Sequence, residues 1–180
     1  RSRTQEAIIQ EIESLLSKGI FEINLIGQDL AAFGRDGVPV GKSNHPMYFE
    51  GKSPLSELLE KISNIKGKFW LRLLYIHPDH FPMDIIPIIQ KDNRILPYFD
   101  IPFQSGSSEV LASMNRTGTT ESYTELVKKL RSELEFSSIR TTFLCGFPGE
   151  TDKQAKETET FLKNIEPDWS GCFPYSREEE

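Results

Sequence analysis

IRTTFLCGFPGETD, residues 139–152, reads as a strand that stops on Gly-Phe-Pro-Gly and turns into a helix. Apolar and β-branched residues fill 138–146. Two glycines and a proline then break the run, and Thr151 with Asp152 supplies an N-cap and a first-turn acid for the next segment. A strand followed at once by a helix is the unit of a parallel sheet with helical crossovers.

The pattern recurs on both sides. Residues 4–18 carry Ile8, Ile9, Ile12, Leu15 and Leu16 at helical spacing, with Gly19 as the stop, and 21–27 follow as a strand. Helices are predicted at 54–65, at 82–91 opening on Pro82, at 107–114, at 120–134 capped by Thr119 or Thr120, and at 151–164. Strands are predicted at 68–76, at 95–103 and at 169–176. The segment 28–53 is polar, and a loop of that length is usually functional or disordered. Five strands alternating with helices predict an α/β chain, either a partial (β/α) barrel or an open doubly wound sheet. No internal repeat or low-complexity segment interrupts it.

The 180 residues amount to one domain or a large piece of one. Hydrophobic residues make up 37%, enough for a core, and 21 basic against 27 acidic residues leave a net charge of -6. That balance argues against a phosphate-tracking surface of the chain's own. No run of about 18 apolar residues predicts a membrane span, and no export signal is visible, so a cytoplasmic chain is expected. The spacing of Cys145 and Cys172 is compatible with a disulfide, but their strand-like surroundings predict two buried thiols.

Ligands of parallel α/β architectures bind beyond the carboxyl ends of the strands. Those ends are Gly27-Gln28-Asp29, Tyr75-Ile76-His77-Pro78, Pro102 to Ser107, Gly146 to Glu150, and Pro174-Tyr175-Ser176. Gln28 and Asp29 suit a ligand ammonium or hydroxyls, or else form an Asx turn opening the long loop. Gln104-Ser105-Gly106-Ser107 suits a carboxylate or phosphate at a helix start, or Ser107 is simply an N-cap. Arg72 and Arg140 lie inside apolar strands, and a buried arginine needs an anion. For Arg140 a ligand carboxylate, Asp29 or Asp100 would serve. His77 and His80, with His45 the only histidines, make a weak metal signal without a third ligand. CxxC, G-x-S-x-G and P-loop signatures are missing, as is a strand-end lysine for Schiff-base chemistry of the aldolase kind.

Five ordered stretches, EINLIGQDLAAFGRDG, WLRLLYIHP, YFDIPFQSGSSEVLASMNR, IRTTFLCGFPGETD and GCFPYSREEE, resemble the core of the radical S-adenosylmethionine methylthiotransferases over residues 1–180. The resemblance implies a partial (β/α) barrel of the radical-SAM type. Within the family, GQDLAAFGRD, RLLYIHP, YFDIPFQ and YSREE resemble the branch that methylthiolates the β-carbon of an aspartate in a small-subunit ribosomal protein. Ser105 departs from that branch, which usually has histidine there, and is similar to the sister branch acting on a tRNA adenosine. The implied chemistry is reductive cleavage of S-adenosylmethionine, hydrogen abstraction from an unactivated C–H bond, and insertion of sulfur and a methyl group.

The resemblance also implies two [4Fe–4S] clusters in the full-length protein. Their CxxxCxxC loop, the first barrel strand, an N-terminal cluster domain and a C-terminal TRAM domain are all expected outside residues 1–180. Cys145 and Cys172 do not match cluster ligands, so no metal ligand and no acid–base catalyst is assigned. The cofactor-binding residues it implies are Gln28 and Asp29 at the methionyl ammonium, Gln104 and Ser105 near the ribose and carboxylate, Arg140 at the carboxylate, and Gly146, Phe147 and Phe173 along the adenine. The 30–52 loop is expected on the substrate side. A non-catalytic module recognising a ribosomal partner is the rival reading, and a fragment without its cluster is expected to be inactive alone.

Overall fold

A computed structural model describes residues 1–35 and 52–177. Most of the 28–53 segment, with His45, lies outside the described residues. The chain forms two compact units, one of residues 1–76 and 80–99, the other of residues 77–79 and 100–180.

The first unit holds α1 (Gln5–Ser17), β1 (Glu22–Ile26), α2 (Pro54–Ser63), β2 (Trp70–Leu74), α3 (Ile86–Lys91) and most of β3 (Ile95–Asp100). Thr4 caps α1 through Ala7 N–H, and Ser53 caps α2 through Ser56 N–H at 3.1 Å with Pro54 in the first turn. β1 pairs with β2 and β2 with β3, all parallel. Pro97 has no N–H to give the ladder, and the β2–β3 register slips there, from Leu71 opposite Ile95 to Leu73 opposite Phe99. Leu59, Ile62, Leu71, Leu73, Ile85, Ile95 and Phe99 have no exposed surface. Burial of each such side chain is worth about 1.5–3 kcal/mol.

The helix predicted at 82–91 is two pieces, a 3-10 turn Met83–Ile85 and then α3. Pro87 sits in the first turn of α3, where its missing N–H costs nothing. The strand predicted to reach residue 103 stops at Asp100, before Pro102. Two 3-10 turns, Leu30–Ala32 and Pro78–His80, carry no periodicity that a sequence would show.

The second unit holds α4 (Ser108–Ser113), α5 (Thr120–Glu133), β4 (Ser138–Cys145), α6 (Asp152–Ile165) and β5 (Trp169–Pro174). Thr119 and Thr151 close capping boxes on α5 and α6. β4 and β5 pair in parallel from Arg140–Trp169 to Cys145–Pro174. Phe103, Tyr123, Phe143 and Phe161 form the aromatic core, with Phe161 edge-on to both Phe103 and Phe143.

β4 sorts its residues by parity. Ile139, Thr141 and Phe143 are buried, whereas Arg140 on the other face is exposed; Cys145, on the buried face, breaks the pattern and is exposed at the strand end. The thiols are free and both exposed, which corrects the expectation of buried cysteines. Their exposure follows from β5, where every residue but Gly171 is exposed.

Candidate functional site

In the first unit the end of β1 is a capped turn. Asp29 Oδ1 accepts from Ala31 N–H at 2.9 Å, the Asx-type arrangement the sequence left open, and Oδ2 lies 2.6 Å from His80 Nε2. Burial lowers the pKa of the Arg35 guanidinium, while Asp29 and Asp84 act in the opposite direction. Gln28 is exposed. It borders a cleft of about 740 Å³ along β1, lined also by Asn24, Ile26, Arg3 and Ile8. Tyr75, at the end of β2, has φ 70° and accepts from Leu30 N–H at 2.9 Å. His80 was not legible as a partner of Asp29, because the contact joins residues far apart in the sequence. Arg72, expected to need an anion, bonds Glu22 at 2.7 Å and lies over the Tyr98 ring.

In the second unit Gln104 holds a left-handed backbone, φ 71°. Such a conformation costs about 1–3 kcal/mol in a residue with a Cβ and persists only where its surroundings fix it. β4 does so: Gln104 N–H donates to Thr142 O and Gln104 O accepts from Leu144 N–H, each at 2.8 Å. Gln104 therefore lies against the same strand that ends at Cys145, just before Gly146. Gly146 has φ 74°, its N–H donates to Glu150 Oε2 at 2.5 Å, and a Cβ there would meet nothing within 4 Å. Phe147 meets Tyr175 edge-on, with centroids 5.7 Å apart. Phe173 is exposed and pairs in register with Leu144. The unit thus gathers Gln104, Gly146, Phe147 and Phe173 around the ends of β4 and β5.

Two predicted residues behave differently. Ser105 is fully buried; its hydroxyl shares a 3.2 Å bond with Thr158 and accepts from Ser107 N–H at 3.1 Å. Gly106 N–H donates to the same Thr158 hydroxyl at 2.9 Å, and a Cβ on Gly106 would stand 2.5 Å from Phe161 Cβ and 2.7 Å from Thr158 Cα. Ser107 Oγ donates to Glu157 at 2.6 Å and makes no side-chain cap for α4. The glycine of QSGS is required by the passage of α6. Arg140 lies near the start of β4, five residues before Cys145 and so about 17 Å along the strand. It bonds Asp100 at 3.1 Å, one of the partners the sequence allowed, and half of its side chain stays exposed. Burial pushes the Asp100 carboxyl above the usual range, with Arg140 pulling the other way.

His77, Asp79, Thr117 and Tyr123 form a second network, with Tyr123 buried and Thr117 at the surface. Asp79 accepts from Thr117 N–H at 2.8 Å and from the Tyr123 hydroxyl. His77 and Asp79 approach to 4.0 Å. Among the described residues no group of three or more His, Cys, Asp or Glu is placed to hold a metal ion, and no helix is long and apolar enough to cross a membrane.

Residues 1–162 match the Radical SAM superfamily. The chain belongs to the radical SAM superfamily. Membership implies S-adenosylmethionine and an iron–sulfur cluster as the family's cofactors. Two relatives of this radical SAM chain are named Ribosomal protein uS12 methylthiotransferase RimO. The one from Treponema denticola is 51% identical over 189 residues, covering 100% of this chain and 40% of the relative. The one from Thermosipho africanus is 42% identical over 180 residues, covering 100% and 39%. The chain thus spans about two-fifths of the length of these relatives. Among solved structures, the radical S-adenosylmethionine methyltransferase TsrM of Kitasatospora setae, with cobalamin and a [4Fe-4S] cluster bound, superimposes with a TM-score of 0.72 at 16% identity, covering 98% of this chain and 32% of that one. With its five parallel strands and flanking helices, the chain has the fold of a partial radical-SAM (β/α) barrel.

Proposed function

We propose that this chain is the central part of a radical S-adenosylmethionine methylthiotransferase that modifies the β-carbon of an aspartate in the small-subunit ribosomal protein uS12. The observation that carries the reading is the 51% identity, over the whole chain, to a uS12 methylthiotransferase. The match to the Radical SAM superfamily over residues 1–162 supports the reaction class.

Bound S-adenosylmethionine supplies the means of breaking an unactivated C–H bond and a methyl group for transfer. The residues of this chain bind, orient and exclude water. The second unit fits an adenine at the open side of Gly146, where the missing Cβ leaves space and the rings of Phe147 and Phe173 offer flat apolar surface. Gln104, fixed in its left-handed conformation by β4, presents its amide to the ribose and carboxylate. Arg140 spends one donor on Asp100 near the start of β4, away from the strand-end cluster, and keeps its remaining donors exposed. Ser105, with its hydroxyl committed to Thr158, acts as a positioning residue for Gln104. In the first unit, taken by itself, Asp29 holds the turn at the end of β1, and the exposed amide of Gln28 beside it suits a ligand ammonium.

Two [4Fe–4S] clusters belong to the reading of the whole protein. The described residues do not fit a cluster, since no three of their His, Cys, Asp or Glu side chains come together to hold a metal ion. Cytoplasmic location follows from a ribosomal substrate.

The test is anaerobic expression of the reading frame that contains this chain, with its flanking sequence. Iron content, 5′-deoxyadenosine formation and the mass of uS12 would be measured. Cluster-dependent cleavage together with a methylthio mass gain on uS12 is expected. Cleavage with the gain on a tRNA adenosine would overturn the substrate, and an iron-free protein without cleavage would overturn the reaction class.

A further inference from the structure

Cys145 closes β4 and Cys172 lies in the middle of β5. In the β4–β5 register Phe143 faces Cys172 and Cys145 faces Pro174. Side chains alternate along a strand, so Cys145 and Phe143 project to the same face, and Cys172 joins them there. The two sulfurs stand 2.8 Å apart. Both residues are exposed and neither is in a disulfide. Thiols at this separation on adjacent strands are already in the contact that a disulfide requires. A structural zinc would want four ligands, and no third candidate joins the pair among the described residues.

We propose that Cys145 and Cys172 are a redox-active dithiol that closes to an intramolecular disulfide on reaction with low-molecular-weight disulfides. The Cys145 thiol is pushed up to about 11, first by its hydrogen bond to Cys172 and then by burial and the charges of Cys172 and Glu150. One sulfur of the pair, as its thiolate, displaces one thiolate from the small disulfide and forms a mixed disulfide. The neighbouring sulfur, 2.8 Å away, then gives up its proton and attacks the bonded protein sulfur, releasing the second small thiolate. Two protein thiols are oxidised, one external disulfide is reduced to two thiols, and the protons pass to the departing thiolates. The new bond ties β4 to β5 at the base of the Gly146–Pro148 turn. This inference does not depend on which cofactor the strand ends hold.

The test treats the full-length protein with oxidised glutathione and maps its peptides. The expected result is loss of both thiols into one cross-linked peptide joining Cys145 to Cys172, restored by dithiothreitol. Cys145→Ser should instead accumulate a glutathione adduct on Cys172. In urea the cross-link should form more slowly, since the fold brings the sulfurs together. Separate adducts on both cysteines of the native protein, without the cross-link, would overturn the proposal. So would cross-linking at the same rate in urea.

Discussion

Two glycines of the second unit each follow a strand, and they do opposite jobs. Gly106 is walled in by α6, whose Phe161 and Thr158 leave no room for a Cβ. Gly146 has a positive φ and open space above it. Read as sequence, QSGS and CGFPGE look alike: each is a small-residue turn between a strand and a helix. A glycine can answer to close packing or to backbone conformation, and only the contact around it says which. The closed turn braces the scaffold. The open one leaves a surface that the fold itself does not use.

Substitutions sharpen this contrast. Gly106→Ala should have the largest effect, destabilising the chain by about 3 kcal/mol or more, because the added methyl meets helix backbone that cannot yield. A urea melt of the full-length protein checks it, and an unchanged midpoint would break the distinction between the turns.

Next is Tyr123→Phe, which strips a hydroxyl from buried Asp79 and should cost about 2 kcal/mol. Burial works to raise the Asp79 pKa, but the bonds from Tyr123 and Thr117 and the nearby His77 leave it lowered from 3.8. A depressed carboxyl stabilises the fold above the unfolded value, and that contribution is lost as pH falls through the folded one. Unfolding midpoints compared between neutral pH and about pH 3 should show a smaller acid loss in Tyr123→Phe than in the parent.

Thr151→Ala removes the cap that starts α6 after the open turn and should cost about 1 kcal/mol. Thermal denaturation reads this. A loss as large as that of Gly106→Ala would mean that the open turn braces the scaffold too.

Much of this was legible in the residues. Ile8, Ile12 and Leu15 declare α1, and Thr119 and Thr151 declare the starts of α5 and α6, because helical period and capping are local. Gly146 marks the end of β4 for the same reason, whereas β3 stops at Asp100, short of the residue 103 that the sequence suggests. What stayed hidden depends on distant contacts. Thr158 lies 53 residues from Ser105, and nothing near QSGS announces it. The left-handed conformation of Gln104 is imposed by β4, against the habit of a residue with a Cβ. The arginine near the start of β4 reads in the sequence as buried and in need of an anion; it is exposed, and only the fold selects Asp100 as its partner. The exposure of both thiols depends on what covers β5, which no local pattern encodes.

The central claim is that the open side of Gly146 receives S-adenosylmethionine. The most direct test is the dissociation constant of S-adenosylmethionine for the full-length, anaerobically prepared protein and for Gly146→Val, with Thr151→Ala as the control for changes that act on stability alone. Gly146→Val should bind at least about tenfold more weakly, equivalent to about 1.4 kcal/mol, with an unchanged constant in the control. Equal binding by the folded Gly146→Val protein and its parent would contradict the claim.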